Sequence, residues 1–242
     1  ALCSLISILV VVLIYRYQIK KLRKRNEIEK KLILSQLSAL KAQMNPHFMY
    51  NAINSIQALI LEHDIKNSNL YLSKFSNLLR KILDASGKEF ISLKEEIDIL
   101  SLYLDLEKLR FGEDFNFTIE VDKQIDEYAI QIPAMLLQPF IENALKHGLL
   151  HKKGNKFLKI QFNFYNNHLQ CVIEDNGVGR KRSEEIKQRF KKTHQSFATE
   201  ATDKRVELFN KFTHGKYKIQ VTDLYQNDVS TGTRVTIEIP LN

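Results

Sequence analysis

The 242-residue sequence predicts an α+β protein, with a helical first half followed by a domain of helices and strands around one sheet. Three observations predict this. Apolar residues recur at helical spacing from Ile33 to Leu104; after Phe111-Gly112 that period gives way to alternation; and strand-like and helical runs intermix from there to the end. An apolar content of 44% is enough for one large or two ordinary domains with real cores.

The run Leu2 to Tyr15 is almost wholly apolar, broken only by Cys3, Ser4 and Ser7. Arg16, Lys20, Lys21, Arg23, Lys24, Arg25, Lys30 and Lys31 follow, opposed only by Glu27 and Glu29. An apolar stretch with basic residues behind it reads as the end of a transmembrane helix and its cytoplasmic side. The run is shorter than the roughly 20 residues a span needs, and the chain starts at Ala1 without Met, so a cut inside the span is expected. A signal peptide would carry its charge ahead of the run. Residues 1–17 are therefore expected to be the C-terminal part of a transmembrane helix, at a cytoplasmic membrane, with residues from about 18 onward in the cytoplasm. The net charge of +8 gathers here as a solvated or headgroup-facing patch rather than a nucleic-acid site. Residues 18–45 are expected to form a juxtamembrane helical linker, free of Gly and Pro, in which Ile33, Leu37, Leu40 and Met44 keep a 4-3-4 spacing that suits a coiled-coil seam or equally ordinary packing. Cys3 and Cys171 show no metal-ligand spacing and have no reason to pair.

Pro46 opens or kinks the next helix, in which Met49, Ile53, Ile56 and Ile60 form an apolar stripe. His47, Asn51 and Asn54 share the opposite face, so the imidazole points away from its own helix's core. Such a ring can serve as a neutral nucleophile that carries a group between two partners; it can equally be an ordinary surface or interface histidine. Asn67 or Ser68 can cap a second helix, with Leu72, Phe75, Leu79 and Ile82 apolar and Gly87 at its end. Ser92-Leu93-Lys94-Glu95 is a capping-box pattern opening a third helix to about Arg110, with Leu93, Ile97, Leu100 and Leu104 inward.

Phe115, Phe117, Ile119 and Val121 alternate with polar residues as in a half-buried strand. Residues 132–149 read as a helix begun near Pro133, and strands at 157–165 and 169–174 flank the turn Asn166-Asn167. The polar segment 180–202 reads as a short helix and a mobile stretch; a helix at 203–212 and strands at 217–225 and 233–239 complete the domain.

Three sites combine polar groups with glycine. In Glu142-Asn143-Ala144-Leu145-Lys146-His147-Gly148, Glu142, Asn143, Lys146 and His147 lie one turn apart and can edge a single cleft. Asn offers an oxygen to a hard cation such as Mg²⁺, Glu can orient or deprotonate, and Lys or His can face a phosphate. In Asp175-Asn176-Gly177-Val178-Gly179 the glycines allow close backbone approach to a ligand, and a buried carboxylate can accept from an amine. Gly232-Thr233 opens the last strand. Each alone also suits an ordinary turn or exposed helix face, and no P-loop pattern occurs.

Taken in order, Asn45-Pro46-His47-Phe48 with Asn51, Glu142-Asn143-Ala144 with His147-Gly148, Asp175-Asn176-Gly177-Val178-Gly179 and Gly232-Thr233 resemble the LytS-type sensor histidine kinases. Their ATP-binding domain belongs to the gyrase/Hsp90/histidine kinase/MutL superfamily. The resemblance implies membrane-proximal dimerisation and histidine phosphotransfer helices at 46–111 and a Bergerat-type α/β sandwich that binds ATP at 112–242. It implies His47 as phosphoacceptor, Glu142 as acid/base or water-positioning group, and Asn143 as ligand of Mg²⁺. Lys146 and His147 would stand near the phosphates and Asp175 at the adenine amine. Gly177, Gly179, Gly232 and Thr233 would wall the nucleotide, with Arg205 behind its lid. The implied partners are a second copy of the chain and a response-regulator receiver domain, a LytTR-type DNA-binding output being one form. At Ser196-Phe197-Ala198-Thr199 relatives carry a glycine where Ala198 stands. That departure keeps an ATP-binding pseudokinase scaffold as an alternative, beside an ATPase clamp of the same superfamily.

Overall fold

The computed structural model describes residues 13–24, 46–165, 168–180, 182, 183, 185, 217–226 and 229–241. Its contacts divide the chain into two units, residues 1–40 and 41–242. In the first, residues 13–24 form helix α1, with Leu13, Ile14, Tyr15, Tyr17 and Leu22 exposed. No helix among the described residues is long and apolar enough to cross a membrane. Residues 1–12 of the expected span and 25–45 of the expected seam lie outside the described residues.

The second unit opens with α2 (Pro46–Leu61), α3 (Ile65–Ser86) and α4 (Leu93–Phe111). The inward face of α2 differs from the expected stripe. Phe48 and Ala52 are buried, whereas Ile53 and Ile60 are 52% and 57% exposed. Phe48, Ala52, Ser55 and Leu59 keep the same 4-3-4 period one residue earlier, so spacing alone permits either stripe. Aromatic packing decides between them: the Phe48 ring sits 5.0 Å from that of Tyr103 and 6.2 Å from that of Phe75. Helix α3 starts earlier than expected because Asp64, not Asn67 or Ser68, caps it, its Oδ1 accepting from the Asn67 N–H at 3.1 Å. Tyr71, Phe75, Leu78 and Ile82 point inward and Leu72 is exposed. The capping box of α4 forms as expected, with Glu95 N–H to Ser92 Oγ at 3.1 Å and Ser92 N–H to Glu95 Oε2 at 3.0 Å. Leu93, Ile97, Leu100 and Leu104 are all buried.

A five-stranded sheet forms from β2 (Phe115–Val121), β4 (Lys156–Tyr165), β5 (His168–Asp175), β6 (Lys218–Gln226) and β7 (Val229–Pro240), in the order β2-β4-β5-β7-β6. Strands β2 and β4 are parallel and the other pairs antiparallel. The α+β class is as expected. Alternation sends Leu158, Ile160, Phe162, Leu169, Cys171, Ile173, Ile237 and Ile239 into the core.

The stretch from 132 to 149 is not one helix. Strand β3 (Gln131–Pro133) pairs antiparallel with β1 (Phe90–Ser92), a strand the alternation does not announce. Helix α5 then spans only Gln138–Asn143 and passes into a π-helical turn, Ala144–Leu149, which lies against β4, β5 and β7. The cause is a side chain far away in sequence. Glu96, 1% exposed, accepts the N–H groups of Met135 and Leu137, each at 3.0 Å, and so satisfies donors that a helix would otherwise claim. Met135 takes a φ of 59° within this lead-in. Removing that carboxylate strands two buried donors. Glu96→Ala is expected to lower stability by about 3 kcal/mol, read as an earlier urea midpoint at unchanged slope.

Candidate functional site

Asp175 ends β5, and its side chain turns into a recess made by backbone. It is 4% exposed, its Oδ1 accepts from the Gly177 N–H at 2.8 Å, and the Thr233 N–H also donates to it. A methyl group at Gly148 would lie 2.6 Å from Asp175 Oδ1, and one at Gly177 would lie 2.4 Å from the Gly148 carbonyl carbon. Glycine is needed at both because the turn before β4 and the turn after β5 touch through the carboxylate. Burial pushes the Asp175 carboxyl up to about 6, against the N–H groups of Gly177 and Thr233 and against Lys152, which pull it down. Lys152 donates to the Asn176 carbonyl at 2.5 Å, and the Asn176 side chain accepts from the Phe157 N–H at 2.8 Å, so the loop after Asp175 is tied on both sides.

Gly232-Thr233 does not open the last strand but lies inside β7, which starts at Val229; Thr233 pairs with both Asp175 and Asp223. Gly232 has a φ of +152°, and a methyl group there would fall 1.9 Å from the Asp175 carbonyl oxygen. Gly232→Ala is therefore expected to part β7 from β5 at Asp175, costing about 2 kcal/mol or more and lowering the thermal midpoint by several degrees. Gly179, at a φ of +76°, backs onto Ser230. The adjoining Arg180 forks onto Asp223, with Nε to Oδ1 at 3.0 Å and Nη2 to Oδ2 at 2.8 Å, joining the end of β5 to β6.

Of the four polar residues of α5 and the π turn, two share a cavity with the helices. Glu142 and Lys146 line a cavity of about 260 Å³ together with Phe48 and Asn51 of α2 and Tyr103, Glu107 and Arg110 of α4, whereas Asn143 and His147 are absent from its lining. At roughly 100° per residue the pair 143/147 is turned about a quarter-circle from 142/146, which is enough to send it elsewhere. Glu142 Oε1 accepts from the Gln138 side chain at 2.8 Å. His147 is half-buried with Nε2 out of solvent.

The backbone of His47 lies in the first turn of α2, and its side chain is outside the described residues, as are Arg205 and the Ala198 segment. No local pattern announces Gly148 as a contact of Asp175, or Tyr103, Glu107 and Arg110 as lining the cavity. The available signal for the last two was an opposite-charge pair three residues apart at the end of α4.

Residues 35–115 match the family model described as histidine kinase. Sensor protein LytS of Staphylococcus epidermidis is 31% identical over 145 residues, which are 60% of this chain and 24% of that protein. Sensor histidine kinase BtsS of Escherichia coli K12 is 35% identical over 145 residues, 60% of this chain and 25% of that protein. The match thus spans about a quarter of the length of these two relatives. Among solved structures, the histidine kinase domain from the Erythrobacter litoralis EL346 blue-light activated histidine kinase superposes with a TM-score of 0.46 at 14% identity, covering 87% of this chain and 96% of that one. That likeness is too slight to bear on individual residues.

Proposed function

We propose that this chain, similar to the LytS-type sensor kinases and matched over residues 35–115 by the histidine kinase family model, is an ATP-dependent protein-histidine kinase of a two-component system. It moves the γ-phosphoryl group of ATP onto His47 and from there to an aspartate on a response-regulator receiver domain, a LytTR-type DNA-binding regulator being one form of that partner. The observation that carries this reading is the shared cavity. The turn of α2 next to His47 and the segment bearing Glu142 and Lys146 wall one space.

The buried Asp175 carboxylate suits the exocyclic amine of an adenine as an acceptor, and the absence of side chains at Gly148 and Gly177 lets two backbone turns close around it. Asp175 would accept from that amine, with Gly177, Gly179, Gly232 and Thr233 around the nucleotide, Lys146 and His147 toward its phosphates, and Arg205 behind the lid. Among the described residues no three His, Cys, Asp or Glu side chains gather to hold a metal ion. Mg²⁺ is usually held by one or two protein oxygens together with phosphates and water, and Asn143 would be its ligand here. When bound, Mg²⁺ neutralises charge on the phosphate oxygens.

His47 supplies the Nε2 lone pair. The bond formed is N–P on the imidazole and the bond broken joins the γ-phosphorus to the bridging oxygen, which leaves on ADP. The proton shed by the ring goes to Glu142 as acid/base. Positioning is the protein's main contribution, because the transferred group needs little covalent help. The exposed Tyr50, Ile53 and Ile60 on α2 support a homodimer joined through the helices. The apolar run at 2–15 with its basic flank supports a place at the cytoplasmic membrane, with residues from about 18 in the cytoplasm.

Incubation with γ-labelled ATP and Mg²⁺ tests the reading. The expected result is an acid-labile, alkali-stable label on the protein that passes to an added receiver domain. Release of inorganic phosphate with no protein label at any time would overturn it.

A further inference from the structure

One cavity holds more charge than a crevice between packed helices requires. Two cations, Arg110 and Lys146, and two carboxylates, Glu107 and Glu142, meet there beside Tyr103, and the wall opposite in sequence is the turn of α2 that follows His47. Lys146 and Glu142 come from the nucleotide-side segment; Arg110 and Glu107 come from the last turns of α4.

We propose that Arg110 is a catalytic residue of the transfer, its guanidinium donating to the phosphoryl oxygens as the group passes toward His47, and that Glu107 is the positioning residue that aims it. The inference rests on the kinase reading above and adds to it a cation that α4 delivers. Arg110 Nη2 is held 2.5 Å from Glu107 Oε2, and its guanidinium carbon lies 4.8 Å from the centre of the Phe111 ring. The guanidinium has five donors in a planar fork, so an ion pair with Glu107 holds it beside the cavity and leaves donors for a second acceptor. The side chain of Arg110 is 25% exposed and that of Glu107 only 3%.

The plain alternative is that Arg110 serves the C-terminus of α4, where a cation offsets the helix dipole. Exposed Lys108 in the same turn already does that, and needs no buried partner. A buried carboxylate is costly, and burial pushes Glu107 up to about 7, with Arg110 pulling down and Glu142 adding to the rise. A group kept at that cost beside a cavity, on an arginine that faces the cavity, fits a site rather than a cap.

No bond is made or broken on Arg110. The step remains N–P formation on His47 with departure of ADP, and Arg110 neutralises charge that spreads over the transferred oxygens.

The test is autophosphorylation of the full chain from γ-labelled ATP, with nucleotide affinity measured separately by a fluorescent ATP analogue. Arg110→Gln is expected to slow labelling at saturating nucleotide by about a hundredfold while affinity changes by less than about threefold. Arg110→Lys keeps a point charge without the fork and should recover part of that rate; Glu107→Gln should lose about tenfold at unchanged affinity. Labelling of Arg110→Gln at the wild-type rate, or a fall of rate and affinity together with the unfolding midpoint, overturns the proposal. Should Arg110→Gln fail to fold, Arg110→Lys decides: a folded protein at the wild-type rate overturns the proposal, and a folded protein slowed at normal affinity supports it. Absence of label on the wild type removes the kinase reading and this inference with it, whereas normal label in Arg110→Gln removes this inference alone.

Discussion

His47→Gln is expected to bring phosphoryl incorporation from γ-labelled ATP down to background while leaving nucleotide affinity within about twofold of wild type. The carboxamide has no nucleophilic nitrogen, because its lone pair is delocalised into the carbonyl, so the acceptor is removed rather than weakened. Nucleotide binding is spared because the Asp175 recess is built from β5, β7 and the π turn and takes nothing from α2. The measurement is label on the protein after acid and after alkali, alongside titration with a fluorescent ATP analogue. A His47→Gln protein that still takes acid-labile label would move the acceptor to another histidine and overturn the assignment. Loss of nucleotide affinity in the same variant would mean that the helix pair and the recess are one site.

Asp175→Asn is expected to cost about a hundredfold in ATP affinity. The N–H groups of Gly177 and Thr233 both donate to the Asp175 carboxyl, so an amide placed there must turn its NH₂ toward one of them or toward the adenine amine. Either way two donors face each other. The same substitution should stabilise the nucleotide-free protein at neutral pH. The carboxyl stands at about 6 in the folded chain against 3.8 for an ordinary solvated aspartate, so the folded state holds its proton more tightly than the unfolded one. For such a group stability is greatest below the unfolded value and falls as pH rises through the folded value, by about 3 kcal/mol in all. Asn at this position is neutral throughout and escapes that loss. Denaturant melts of wild type and Asp175→Asn should therefore separate at pH 7.5 and converge as pH falls toward 5. ATP affinity of the wild type should move the other way, weakening by about tenfold as the carboxylate is protonated below about 6. Equal ATP affinity in the two proteins at pH 7.5 would remove Asp175 from the site.

Opposing trends of this kind are what a residue kept for binding against the interest of the fold would give. They also mark a difference between what neighbouring residues dictate and what distant ones impose. The capping box at Ser92 and Glu95, the alternation along 157–165 and the glycines after Asp175 were legible because each depends on groups within a few positions along the chain. The stripe on α2 was not, because two registers one residue apart satisfy the same period, and only the aromatic rings of Phe75 and Tyr103 choose Phe48 over Met49.

The sequence by itself determined that helices precede a mixed sheet, that His47 stands on a helix that Pro46 opens or kinks, and that Asp175 is followed by a pair of glycines. Tertiary structure decided the rest. Glu96 reaches across to break the expected helix before Gln138, and the π turn carries Gly148 onto Asp175. Helix α4 brings Glu107 and Arg110 into the cavity that Asn51, Glu142 and Lys146 share. Periodicity reports which way a side chain faces along its own segment, but a site is made where segments distant in sequence meet, and those meetings are set by packing and by hydrogen bonds that no local pattern encodes.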